Sequence, residues 1–153
     1  MISFIFILIS LTVSVQVSAD TVVEQADLFY QQGHIDKSIK YYRYELRKQP
    51  DSLQAKMGLA KAYLAKNKLT AANNLFNDVL ESDQTNFDAK IGIAQIYMNQ
   101  SKWEVAQVIL FELDTAYPDT LDVKHRLMNN YIQMGQLDLA DQIHQEIKLL
   151  QQQ

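Results

Sequence analysis

From residue 20 onward, apolar residues recur at the spacing of an amphipathic helix, and the whole pattern returns every 34 residues. Tyr63, Tyr97 and Tyr131 are in phase, as are Ala72, Ala106 and Ala140, and Leu59, Ile93 and Leu127. One period earlier, the columns of Tyr63, Phe76 and Ala60 hold Phe29, Tyr42 and Ala26. Four frames follow without insertion or deletion: 19–52, 53–86, 87–120 and 121–153. Within a frame, positions 4, 7, 8 and 11 (Lys56, Leu59, Ala60 and Tyr63 in the second) fall on one face of a first helix. Positions 20, 24 and 27 (Ala72, Phe76 and Val79) mark a second helix. Between them, position 15 reads Gly33, Asn67, Ser101 and Gly135, and Gly and Asn suit the left-handed backbone of a tight turn. Pro50 and Pro118 stand two periods apart, where a second helix should stop.

These columns resemble the unit of the tetratricopeptide repeat family: Leu-Gly/Ala, Tyr, Ala, Phe, Ala and Pro at set places. The run GLAKAYL from Gly58 to Leu64, followed by Ala72 and Phe76, carries the likeness best; Ile93-Ala94, Tyr97, Ala106, Leu110 and Pro118 carry it in the next frame. The resemblance covers residues 20–153 and implies an all-α fold, a right-handed solenoid of four helix-turn-helix repeats. It also implies a scaffold that binds peptides or proteins, without naming the partner. The terminal frames depart from the pattern in a sensible direction. Gln25 and His144 replace apolar residues, as expected where an end unit faces water.

The resemblance further implies that ligands meet the inner face of the first helices. Position 5 holds Val23, Met57, Ile91 and His125, and position 12 holds Tyr30, Leu64, Met98 and Ile132; both are more apolar than a merely solvated face requires. Position 9 is polar, with Asp27, Lys61, Gln95 and Asn129. The candidate peptide-binding groove is therefore Met57, Lys61, Leu64, Ile91, Gln95, Met98 and Asn129, an apolar wall with polar anchors. The same positions could equally seal the seams between successive first helices. Family members that clamp a chaperone's C-terminal carboxylates use Lys, Asn and Arg on this face. Here the matching places hold Val23, Asp27, Gly58, Asp88 and Gly92, so that clamp is not expected. Gly58 and Gly92, inside first helices, read as relief of crowding between neighbouring first helices or as room for a ligand backbone. Trp103, opening a second helix, reads as a packing anchor.

Residues 1–19 follow a different pattern. Residues 2–17 carry no charge, and Val17-Ser18-Ala19 offers the small residues that a signal peptidase accepts. The expectation is a cleaved signal over 1–19 and an exported, periplasmic or secreted domain over 20–153. No Lys or Arg precedes the apolar run, and its length approaches a short membrane span, so an uncleaved anchor is the alternative. Only in that case would the membrane be a partner.

Composition narrows the chemistry. The net charge of −4 lacks the basic excess that nucleic-acid binding needs. With no Cys and three scattered His, neither a thiolate nor a metal site is expected, and no hydrolase, zincin or Walker motif is present. No cofactor is expected, and the reading is not an enzyme. Charge is polarised along the chain: residues 34–68 sum to +6 and residues 78–122 to −7. Lys37, Lys40, Arg43, Arg47 and Lys48 share one helix. Solvated faces explain this most simply. The alternatives are head-to-tail association of copies through open solenoid ends, or a tethered structural protein whose basic helix meets lipid or polysaccharide. The leading reading is an adaptor that helps assemble an envelope or secretion complex. N-terminal sequencing of the protein from its producing host should begin at Asp20; a chain beginning at Met1 and held in membranes would support the anchor instead.

Overall fold

Helix starts inherit the 34-residue period. In a computed structural model, which describes residues 21–152, eight helices follow in order: α1 (Val22–Gln31), α2 (Ile35–Lys48), α3 (Leu53–Ala65), α4 (Leu69–Ser82), α5 (Phe87–Asn99), α6 (Trp103–Ala116), α7 (Leu121–Gln133) and α8 (Leu137–Leu150). The expected signal over 1–19 lies outside the described residues. Among the described residues, no helix is long and apolar enough to cross a membrane. α3, α5 and α7 begin in phase, as do all four second helices. α1 is the shorter one, ten residues against thirteen, and it starts under a capping box in which Thr21 and Glu24 satisfy each other's backbone N–H groups. Ser52 and Asn86 cap α3 and α5 by accepting from the N–H groups of Ala55 and Ala89.

Each within-repeat turn is one left-handed residue. Gly33 and Gly135 have φ of 77° and 72°, and Asn67 and Ser101 take 55° and 57°. Ser101 therefore occupies a conformation that a side chain disfavours, because the turn geometry is set by the two helices that flank it. The residue after this turn closes it, as in Lys68 N–H donating to Tyr63 C=O and Lys102 N–H to Tyr97 C=O.

Helices pair within repeats, α1 with α2 through α7 with α8, and each second helix packs on the first helix of the next repeat. The core runs along the stack as three linked clusters. The small column at position 20 is buried throughout as Ser38, Ala72, Ala106 and Ala140. Ser38 is tolerated there because its hydroxyl donates to Ile35 C=O at 2.8 Å. Trp103 packs against the last cluster, and its C=O accepts from the buried Asn130 amide at 3.1 Å, tying α6 to α7. Gln25 and His144 are exposed at the two ends of the stack.

The two internal glycines relieve crowding, but against a different neighbour from the one the periodicity suggested. A Cβ at Gly58 would run into the Tyr42 ring of α2, and one at Gly92 into the Phe76 ring of α4. The tight contact lies between a second helix and the next first helix, because the position-24 aromatic points along the stack. At the last joint the stack uses an ion pair instead. Lys124 on α7 is nearly buried and meets Asp114 of α6 at 3.0 Å and Glu146 of α8 at 2.5 Å. Burial pushes its ammonium down, but the hydrogen bonds to Glu146 and Asp114 outweigh this and hold it above the ordinary lysine range.

Gly92→Ala sets a helix-propensity gain of about 1 kcal/mol against overpacking of a fully buried ring, typically about 1–3 kcal/mol. The expected result is a lower Tm by circular dichroism with unchanged helicity at low temperature. A raised Tm would show that the Phe76 ring yields freely.

Candidate functional site

The first-helix face carries two adjoining cavities. One, of about 430 Å³, is bounded by Asp27 and Tyr30 of α1, Gln54, Met57 and Lys61 of α3, and Asp88 of α5. The other, of about 300 Å³, is bounded by Lys61 and Leu64 of α3, Asp88, Ile91 and Gln95 of α5, and Asp122 and Arg126 of α7. Lys61 and Asp88 belong to both. The glycines matter here as well. Gly58 with Tyr42 borders the first cavity, and Gly92 with Phe76 the second, so each ring-on-glycine contact lies beside the groove.

Polar links cross the groove at one-repeat intervals. Lys61 Nζ lies 2.7 Å from Asp88 Oδ2, joining α3 to α5, with roughly half of each side chain still in solvent. Arg126 Nη1 donates to Gln95 Oε1 at 2.5 Å, joining α5 to α7, and Arg126 Nε donates to Asp122 of its own helix at 2.8 Å. Gln95 also donates to Asn99 at 2.8 Å. At the start of the groove the Tyr42 hydroxyl donates to Asp27. Burial, then the bond to Asp27, push the Tyr42 hydroxyl well above its ordinary value of 10.0. The groove is thus lined by Asp27, Asp88 and Asp122 against Lys61 and Arg126, one more acid than base.

Five of the seven residues chosen from sequence come together: Met57, Lys61, Leu64, Ile91 and Gln95 line these cavities. Two do not. Met98 is buried in the cluster with Leu127 and Tyr131, because α7 covers the end of α5. Asn129 is exposed on α7 and borders neither cavity. Lys61, read from sequence as a free anchor, is held by Asp88 of the next repeat. Asp88, at position 2 of the third frame, pairs with the position-9 lysine of the frame before it, whereas Asp122 at the same position of the fourth frame pairs with Arg126 on its own helix.

Two tetratricopeptide repeat models match the chain, over residues 23–89 and 64–127. The chain belongs to the tetratricopeptide repeat family. Solved structures share the fold at low identity. A tetratricopeptide repeat protein from Parabacteroides merdae superposes with a TM-score of 0.76 at 18% identity, covering 84% of this chain and 50% of its own. MamA from AMB-1 gives 0.72 at 18% identity, over 86% of this chain and 78% of that one. YrrB, a tetratricopeptide repeat protein with an unusual peptide-binding site, gives 0.68 at 15% identity, over 84% and 66%. The chain thus spans half the length of the Parabacteroides merdae protein. No curated protein matches it by sequence.

Burial of the Tyr42 hydroxyl, followed by its bond to Asp27, makes stability depend on alkaline pH. Tyr42 binds its proton more tightly folded than unfolded, so its contribution is complete below pH 10.0 and is lost as pH rises above that value toward the folded pKa. Tyr42→Phe should flatten the fall of Tm above that pH relative to the wild type. Parallel Tm–pH curves for the two proteins would show that Tyr42 does not carry the alkaline loss.

Proposed function

We propose that the chain is an exported scaffold that holds a peptide or protein segment along the α1–α3–α5–α7 groove during assembly of an envelope or secretion complex. The role is binding, not catalysis. The observation that carries it is the continuity of the two cavities through Lys61 and Asp88. They form one trough with apolar sides from Met57, Leu64 and Ile91 and charged bridges across it. Such a lining suits an extended or helical segment, whose side chains enter the cavities while its backbone meets the polar groups. The family resemblance supports a protein partner, and the charge-free N-terminal run with Val17-x-Ala19 supports export. The acid excess in the groove favours a segment carrying Lys or Arg.

A photoreactive residue placed at Gln54 or Gln95 in the producing host should capture the partner, whereas one at Asn77 on α4 should not. Lys61→Ala with Gln95→Ala should leave Tm nearly unchanged, since exposed ion pairs contribute about 0–1 kcal/mol. The double change should weaken binding of that captured partner at least about tenfold, or about 1.4 kcal/mol. Capture only from Asn77, or binding indifferent to the double change, would move the site to the second-helix face. Recovery of the mature chain outside the periplasmic or secreted fraction would overturn the export half alone.

A further inference from the structure

The outward column of the second helices changes character from repeat to repeat. At the same three repeat positions stand Lys37, Lys40 and Arg43 on α2; Ala71, Asn74 and Asn77 on α4; Val105, Val108 and Phe111 on α6; and Leu139, Gln142 and Gln145 on α8. Val105, Val108 and Phe111 are 43, 68 and 59% exposed, large values for apolar side chains that lie together on one helix face. Glu104 and Glu112 are exposed one turn before and after Val108, on the same face. Glu104 has no ion pair among the described residues, and Glu112, paired with Lys90, keeps 63% of its side chain in solvent.

α2 presents the complement. Lys40, Tyr44 and Arg47 share a face, and with Val22 and Tyr41 they enclose a largely apolar cavity of about 360 Å³. Among the described residues, neither Lys40 nor Arg47 is in a salt bridge; Arg47 lies over the Tyr44 ring at 5.7 Å. The spacings agree. Lys40 and Arg47 bracket Tyr44 with about 10.5 Å between them along the axis, and Glu104 and Glu112 bracket Val108 with about 12 Å, at about 1.5 Å rise per residue.

We propose that the α6 face of one copy docks on the α2 face of a second copy. Val108 and Phe111 then enter the Tyr41–Tyr44 cavity, and Glu104 and Glu112 meet Lys40 and Arg47. The second repeat stands between α2 and α6 in each chain, so the two faces cannot meet within one copy. The contact is heterologous: each copy keeps a free α2 or α6 face for the next, which builds an open or closed head-to-tail array. An anionic membrane would suit α2 but would repel the carboxylates beside Val108. The second copy satisfies both faces, and it leaves the first-helix groove open.

Sedimentation of the full chain in mild non-ionic detergent tests this. Wild type should self-associate, more weakly at high salt. Lys40→Glu with Arg47→Glu, and separately Glu104→Lys with Glu112→Lys, should each weaken association at least about tenfold while the circular dichroism spectrum stays helical. Mixing the two reversed proteins should restore association, because each then offers the charge that the other needs. The chain has no Cys, so full-length Tyr44→Cys mixed with Val108→Cys should give a mixed disulfide that Tyr44→Cys with Asn77→Cys does not. A wild type that is monomeric at every concentration reached overturns the proposal. So does mixing that restores nothing, or a mixed disulfide no more abundant than the Asn77→Cys control. If phosphatidylglycerol vesicles bind the wild type, and only the α2 reversal abolishes this while copies stay apart, α2 is a lipid-facing surface and the proposal fails.

Discussion

The stack rests on an aromatic ring lying against bare helix backbone. Tyr42 and Phe76, the largest fully buried side chains, meet Gly58 and Gly92 of the following helix where no Cβ fits. A glycine in a helix interior costs about 1 kcal/mol relative to alanine. Full burial of an aromatic side chain returns about 1.5–3 kcal/mol, so the exchange favours the close joint. The consequence reaches the far side of the stack. Drawing α3 onto α2, and α5 onto α4, brings α1 against α3 and α3 against α5. The first-helix faces thereby become one continuous surface, and the glycines that permit the joint also border the two cavities of the groove.

The joint before the last repeat follows another rule. Leu110 stands where Tyr42 and Phe76 stood, and Arg126 where the glycines stood. A shorter side chain on α6 leaves space for a Cβ on α7, and the arginine that follows reaches back to Gln95 and Asp122. Arg126 borders the second cavity, so the trough ends here in a charge network. Lys124, held between α6 and α8, fixes the same helix from its other side, and no counterpart in the earlier repeats is buried in this way. Loss of the lysine would leave the mostly buried Asp114 without its counter-charge, which makes this joint sensitive to Lys124.

Repetition made most of the fold legible in the sequence. The left-handed turn at position 15, the small column at position 20 and the polar ends all follow from residue type and a 34-residue phase. What stayed hidden is which neighbour each residue meets. A helical wheel places Met98 and Leu64 at equivalent angles, yet Met98 is buried because α7 brings Leu127 and Tyr131 over it. Lys61 looked free for the same reason: its partner Asp88 is 27 residues away, a separation that no local pattern reports. Gly58 and Gly92 were visible as anomalies, but periodicity alone could not tell that the crowding ring comes from the preceding second helix. The short α1 also escaped, since its start depends on the Thr21–Glu24 cap and not on the repeat.

The column packed between the two helices of a repeat holds its size, whereas surface columns are free to vary. Position 20 is small in every repeat, and every residue there is buried. Two columns drift instead. On the first-helix face, position 9 runs from Asp27 to Lys61, Gln95 and Asn129. On the second-helix face, the outward column runs from lysine to asparagine to valine to glutamine. Most of these side chains lie at the surface, where substitutions usually change stability by less than about 0.5 kcal/mol. Folding therefore places little constraint on their identity, and the two drifting faces are where a partner can be specified without disturbing the stack. They lie on opposite sides of each helical hairpin, so a segment in the groove and a second copy on the outer face can be held at the same time.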